Sequence, residues 1–207
     1  MTGLPPAGDE LVRAAYGAVA AEYTNRLGSI EDTHELDRLA ITRWAARIDG
    51  PVLDAGCGPG QWAGFLHRQG VDISGVDLVP EFIDSARSCF PHVPFRVASL
   101  RALDLADDSL AGALAWYSLI HLAPAELPQV LVELRRVLRP QGHLLVGFFP
   151  GKSGEVLGHA VTKAYHWSIG QMSLTLQEAG FAVLNVEKRH DCGSRPHAAI
   201  AAIAGPP

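Results

Sequence analysis

The residues of this chain with the greatest chemical capacity form one short run, Asp54-Ala55-Gly56-Cys57-Gly58-Pro59-Gly60. Glycines at alternate positions take up φ angles that side chains forbid and let a ligand approach the backbone. A strand that turns there into a helix presents free N–H groups, which suit a carboxylate or a phosphate. Asp77 stands twenty-one residues beyond Gly56, where the next strand is expected to end. A carboxylate in that place can accept both hydroxyls of a ribose. Loop and carboxylate together read as a nucleoside-binding site. The loop is G-x-G-x-G, not the G-x-G-x-x-G of dinucleotide folds, because Gln61 stands where the last glycine would be. An NAD-dependent oxidoreductase is therefore the weaker reading.

The elements that must position these groups alternate from residue 51 to 148. An apolar strand at 51–55 leads into the loop. Trp62, Phe65 and Leu66 follow at helical spacing, and Gly70 stops that helix. Further strands are expected at 71–77, 95–98, 110–116 and 143–149. Pro80 opens a helix over 80–90. Another helix, over 126–138, carries the stripe Leu127, Val130, Leu131, Leu134, Val137 and Leu138 before Arg139-Pro140-Gln141-Gly142 breaks it. A helix over 168–179, a strand over 181–187 and a last strand over 196–203 complete the series. This order predicts an α/β fold, a parallel sheet with helices on both faces. Its ligand would lie at the carboxyl ends of the central strands, where the strand order reverses. The first ~45 residues are helical, with Tyr16, Val19, Tyr23, Leu27, Leu36, Leu39 and Trp44 as apolar marks. They read as an N-terminal helical cap (1–47) over the mouth of the core (48–207), within one domain.

The D-x-G-x-G-x-G run, Asp77 and the late F-x-x-x-x-x-E strand from Phe181 to Glu187 resemble class I S-adenosylmethionine-dependent methyltransferases. The likeness is to the small stand-alone bacterial type and covers roughly residues 10–205. The N-terminal helix of that type reads Y-x-x-x-A-x-x-Y-x-x-R, matched by Tyr16, Ala20, Tyr23 and Arg26. The resemblance implies a Rossmann-like sheet of seven strands with an antiparallel last strand, S-adenosylmethionine as cofactor and S-adenosylhomocysteine as product. Carried over by position, Gly56, Gly58 and Gly60 would pass the methionine part, with Cys57 and Trp62 beside them, and Asp54 would hold the loop and the amino group. Asp77 would bind the ribose and Leu78 would flank the adenine. Where the family commonly has Gly-Asp after the third strand, this chain has Ala98-Ser99-Leu100, so Ser99 would meet the adenine amine without charge. Trp116, Tyr117 and His121 would lie near the sulfonium, and Tyr23 and Trp44 would close over the methionine end.

Methyl transfer from a sulfonium removes charge, so alignment and exclusion of water are what the protein must supply. A base helps only if the acceptor starts protonated. His121, just past the fourth strand, and His166, in the glycine-rich stretch after the fifth, are the candidate bases. Their plain alternatives are a packing or capping histidine and a solvated loop histidine. Tyr16, Tyr117 and Tyr165 either contact substrate or belong to core and rim. The expected substrate is a small neutral or cationic molecule with an oxygen or nitrogen acceptor rather than carbon. A non-catalytic S-adenosylmethionine-binding or interaction protein is the alternative.

Composition narrows the partners. The net charge is −5, and no basic cluster exceeds Arg135-Arg136, which argues against nucleic acid. No apolar run reaches the ~18 residues of a membrane span. The opening stretch, residues 1–10, lacks the charged and apolar regions of a signal peptide. Cys57, Cys89 and Cys192 show no C-x-x-C spacing, and the nine histidines no metal-binding spacing. A cytoplasmic protein with reduced thiols, no bound metal and a monomeric or homodimeric state is expected.

Overall fold

A computed structural model describes residues 7–191, 193 and 195–205. Residues 1–6 of the opening stretch and Cys192, one of the thiols expected to be reduced, lie outside the described residues. Cys57 and Cys89 are free thiols, the first buried and the second exposed.

Strands and helices are numbered along the chain. The sheet is built outward from Val52–Ala55 (β1), in which every residue is buried. β1 pairs in parallel with Ile73–Asp77 (β2) on one side and Leu110–Trp116 (β4) on the other. Phe95–Val97 (β3) adds beyond β2, and Leu138–Phe148 (β5) beyond β4. His197–Ala204 (β9) runs antiparallel to β5 and to Phe181–Arg189 (β8), which forms the far edge. The seven-stranded order is β3-β2-β1-β4-β5-β9-β8. It is the Rossmann-like arrangement the resemblance implied, with the last strand antiparallel. Order reverses between β1 and β4, so the connections leaving their carboxyl ends diverge and open a crevice.

Helix starts and stops follow local chemistry. Pro80 opens Pro80–Cys89 (α5), and Ser168 caps Ile169–Glu178 (α7) by accepting the Gln171 N–H. Leu127–Val137 (α6) buries Leu127, Val130, Leu131, Leu134 and Val137 against the sheet. Gln61–His67 (α4) follows the glycine loop directly.

Some expectations are corrected. β5 starts at Leu138, which pairs with Leu110, and a bulge with Gln141 at φ 63° precedes the register that begins at His143. The stretch after β5 contains a hairpin, Val156–Leu157 (β6) with Ala164–Tyr165 (β7), too short to show a period in sequence. The N-terminal region is Ala7–Gly17 (α1), Ala20–Leu27 (α2) and Glu35–Ala45 (α3). Leu36 and Leu39 are exposed, whereas Ile30, Ile41 and Trp44 are its buried anchors. No helix among the described residues is long and apolar enough to cross a membrane.

Leu131 has no exposed surface, while Val132 beside it is 56% exposed. Leu131→Ala should lower unfolding free energy by about 2–5 kcal/mol, and Val132→Ala by less than about 0.5 kcal/mol. Urea denaturation of the two variants checks this.

Candidate functional site

A cavity of about 370 Å³ occupies the crevice at the ends of β1 and β4, closed over by residues of α1 and α2. Its floor is the glycine loop. Gly56 and Cys57 both donate their N–H to the Val76 carbonyl, at 2.8 and 2.9 Å, which pins the loop to the end of β2. Gly56 and Gly58 have φ of 80° and 53°, values open to glycine. A Cβ on Gly56 would lie 2.3 Å from the Ser118 Cβ, so only glycine lets the ends of β1 and β4 come together. A Cβ on Gly58 would meet nothing within 4 Å. Its backbone therefore faces the cavity uncovered.

Two carboxylates sit under this loop. Asp77 Oδ2 accepts the Gly58 N–H at 2.8 Å and Oδ1 accepts the Val79 N–H at 2.9 Å. Burial raises the Asp77 pKa against those bonds. Asp54 is 1% exposed, and its Oδ2 has no partner among the described residues. Burial first, then the charge of Asp77, pushes the Asp54 carboxyl up to about 7.

One wall is aromatic and basic. Tyr16 packs edge-on against Tyr23, with Phe82 tilted against both. The Tyr16 hydroxyl lies 2.9 Å from His121 Nε2, and His121 Nδ1 lies 3.0 Å from the Lys163 carbonyl. A carbonyl only accepts, so Nδ1 carries the proton and Nε2 accepts from Tyr16. Burial lowers the His121 pKa. His159 stacks edge-on against His121 at 5.1 Å, and burial, then His121, lower its pKa to about 4. On the opposite wall Trp116 and Tyr117 close the end of β4, and the Tyr117 hydroxyl bonds His197 Nδ1. Asp37 stands beside them and accepts from Arg189 at 2.7 Å.

Of the residues singled out in sequence, Tyr23, Gly56, Cys57, Gly58, Trp62, Asp77, Leu78, Ser99, Leu100, Trp116, Tyr117 and His121 line the cavity. Asp54 and Gly60 lie outside the lining, Asp54 buried below the loop and Gly60 at the start of α4. Trp44 also lies outside the lining. It is a core residue of α3, and a Cβ on Gly112 in β4 would touch its ring at 3.5 Å. His166 also lies outside the lining, with its ring 2.8 Å from where a Gly151 Cβ would be. Sequence reasoning missed Asp9, Asp37, His159 and His197. No spacing marks them, because each meets its partners only through the fold.

A family model described as a methyltransferase domain matches residues 52–142. A malonyl-[acyl-carrier protein] O-methyltransferase of Salmonella typhimurium is 31% identical over 64% of this chain and 51% of its own length. One of Pseudescherichia vulneris is 33% identical over 63% and 50%. The chain spans about half the length of these curated relatives. The crystal structure of Burkholderia thailandensis 1,6-didemethyltoxoflavin-N1-methyltransferase, solved with its substrate and S-adenosylhomocysteine, superposes with TM-score 0.77. It covers 99% of this chain and 94% of that one, at 21% identity. The [4+2]-cyclase SpnF also superposes with TM-score 0.77, at 20% identity and 99% coverage of both chains. Residues 52–142 are thus similar to a methyltransferase domain, on a fold shared with solved methyltransferase structures. The matched segment runs from β1 to the bulge in β5 and so includes the glycine loop, Asp77, Ser99 and His121.

The raised Asp54 pKa has a stability consequence. The folded value near 7 lies above the ordinary 3.8, so the contribution is full below 3.8 and is lost as pH rises through 7. Asp54→Asn removes that dependence. The variant should therefore gain stability relative to the parent between pH 4 and pH 8 (roughly the window those two values bracket), measured by urea midpoints at each pH.

Proposed function

We propose that the chain binds S-adenosylmethionine in this cavity and directs its methyl group to an oxygen or nitrogen of a small neutral or cationic molecule. The observation that carries this reading is the convergence on one cavity of Asp77 with the glycine loop and of the Tyr16–His121 pair. Each Asp77 oxygen spends one lone pair on a backbone N–H and keeps capacity for ribose hydroxyls. The uncovered Gly58 backbone leaves room for a ligand against the loop. Asp9 and Asp37 are neutralised by Arg101 and Arg189, and the other lining carboxylates, Asp32 and Asp77, favour a positively charged guest.

When bound, S-adenosylmethionine supplies an electrophilic methyl carbon on a sulfonium, which an acceptor lone pair captures as the carbon–sulfur bond breaks. Tyr16, Tyr23 and Phe82 shield the cavity from water. A proton leaving the acceptor passes to the Tyr16 oxygen while the hydroxyl proton of Tyr16 moves to His121 Nε2. The Lys163 carbonyl holds His121 in the tautomer that can receive it. His166, outside the lining, takes no part.

The two curated relatives above are named for malonyl-[acyl-carrier protein], and a malonyl group carries a carboxylate. Arg101, the guanidinium among the described lining residues, is paired with Asp9 and Glu126. A carboxylate acceptor would find no uncommitted guanidinium there, which supports a neutral or cationic one. A second reading is a member that binds the cofactor without methylating, since SpnF carries the same fold and is named a cyclase. Release of S-adenosylhomocysteine over a panel of small oxygen and nitrogen nucleophiles separates the two.

Calorimetric titration should show binding of S-adenosylhomocysteine and none of NAD, and Asp77→Ala should weaken the former by about 1–3 kcal/mol. Tight NAD binding alone would sink the cofactor reading. Tyr16→Phe and His121→Phe should each lower turnover by roughly 10²–10⁴-fold, with His166→Ala unchanged. Because the His121 pKa is lowered below 6.5, parental activity should persist under pH 6.5 and decline only as protonation removes the Nε2 lone pair. Full turnover in both His121→Phe and Tyr16→Phe would leave proximity as the sole contribution.

A further inference from the structure

We propose that Asp9, in α1, is a positioning residue that makes the Ser99 hydroxyl a pure acceptor for the exocyclic amine of adenine. The inference rests on the cofactor reading above and concerns how the base is selected. Ser99 lines the cavity just past β3, between Ala98 and Leu100. Its hydroxyl has one proton, and that proton goes to Asp9 Oδ2 at 2.6 Å. A carboxylate oxygen in an ion pair does not donate, so the direction of this bond is set. One oxygen lone pair accepts the Arg101 N–H at 3.1 Å. A single lone pair is left, and with the proton committed to Asp9 the hydroxyl offers no donor to the cavity.

Asp9 is itself held firmly. It is 5% exposed, and Arg101 Nε donates to its Oδ1 at 2.8 Å. Arg101 Nη2 lies 3.0 Å from Glu126 Oε1, while Glu126 Oε2 accepts the Ala123 N–H at 2.9 Å. The charge on Asp9 is thus compensated and its position locked to the turn before α6. A hydroxyl that donates to a carboxylate carries extra negative charge on its oxygen. Ser99 backed by Asp9 therefore performs locally what a carboxylate at position 99 would do. Adenine presents an amine donor at its C6 edge, whereas hypoxanthine presents a carbonyl acceptor. An acceptor with no donor discriminates between them, because the wrong base leaves two acceptors facing each other. Docking of α1 and recognition of the base become one event.

The test compares binding of S-adenosylhomocysteine and S-inosylhomocysteine by calorimetry. The parent should prefer the adenosyl compound by about tenfold or more, and Ser99→Ala and Asp9→Ala should each erase about tenfold of that preference, the worth of one hydrogen bond. Adding Asp9→Ala to Ser99→Ala should change the ratio no further. Combining Asp9→Ala with Ser99→Asp should restore it. The ratio reads the base edge alone, so general loosening of the cavity does not move it. An unchanged ratio in Ser99→Ala overturns the inference, as does a ratio lost in Asp9→Ala that Ser99→Asp does not restore. A parent that binds neither compound overturns the cofactor reading and this inference with it.

Discussion

The carboxylate of Asp77 joins two loops that leave neighbouring strands. One oxygen takes the Gly58 N–H from the loop after β1, and the other takes the Val79 N–H from the turn into α5. The register makes this possible. Ala55 pairs with Val76, so Asp77 comes level with the point where β1 gives way to glycine. The cavity floor, the start of α5 and the placing of Tyr16 against Phe82 all depend on this cross-tie. It works against a cost, because buried Asp54 and half-buried Asp77 share the space beneath the loop and both have raised pKa values. Strain of this electrostatic kind is characteristic of a site shaped for a ligand rather than for stability.

Around that floor the chemistry is assembled from remote pieces. Tyr16 reaches His121 across 105 residues of sequence, and the Lys163 carbonyl that orients the imidazole lies 42 residues further on. The β6–β7 hairpin delivers that carbonyl, since Lys163 immediately precedes β7. At the other end of the cavity Asp9 meets Ser99 across 90 residues. Both contacts come through α1. The N-terminal helix therefore completes the two polar ends of a cavity whose floor belongs to the sheet.

The expected elements that held are those with strong local signals. The 110–116 strand appears with those bounds, and the α6 stripe is buried as its spacing required. The loop glycines take positive φ because the strand-to-helix turn leaves no alternative. The departures occur where local pattern carries little. Trp44 looks like any aromatic of a helical cap, but its burial against β4 is set by how α3 crosses the sheet. His121 and His166 are indistinguishable as lone histidines near strand ends. Only the first faces the cavity, because a 3-10 turn, Leu119–His121, aims it there.

What the sequence determined by itself was the frame: alternating strands and helices, the reversal point, the glycine loop and the acidic residue that closes β2. These rest on interactions between near neighbours and on periodicity, both of which are written along the chain. The tertiary structure alone decided which ionisable groups meet. Asp9 behind Ser99, Tyr16 on His121 and His197 on Tyr117 are contacts across 80 residues or more. Their partners are chosen by packing of helices on the sheet, and burial then raises the pKa of Tyr16 and Tyr117 and lowers that of His121 and His197.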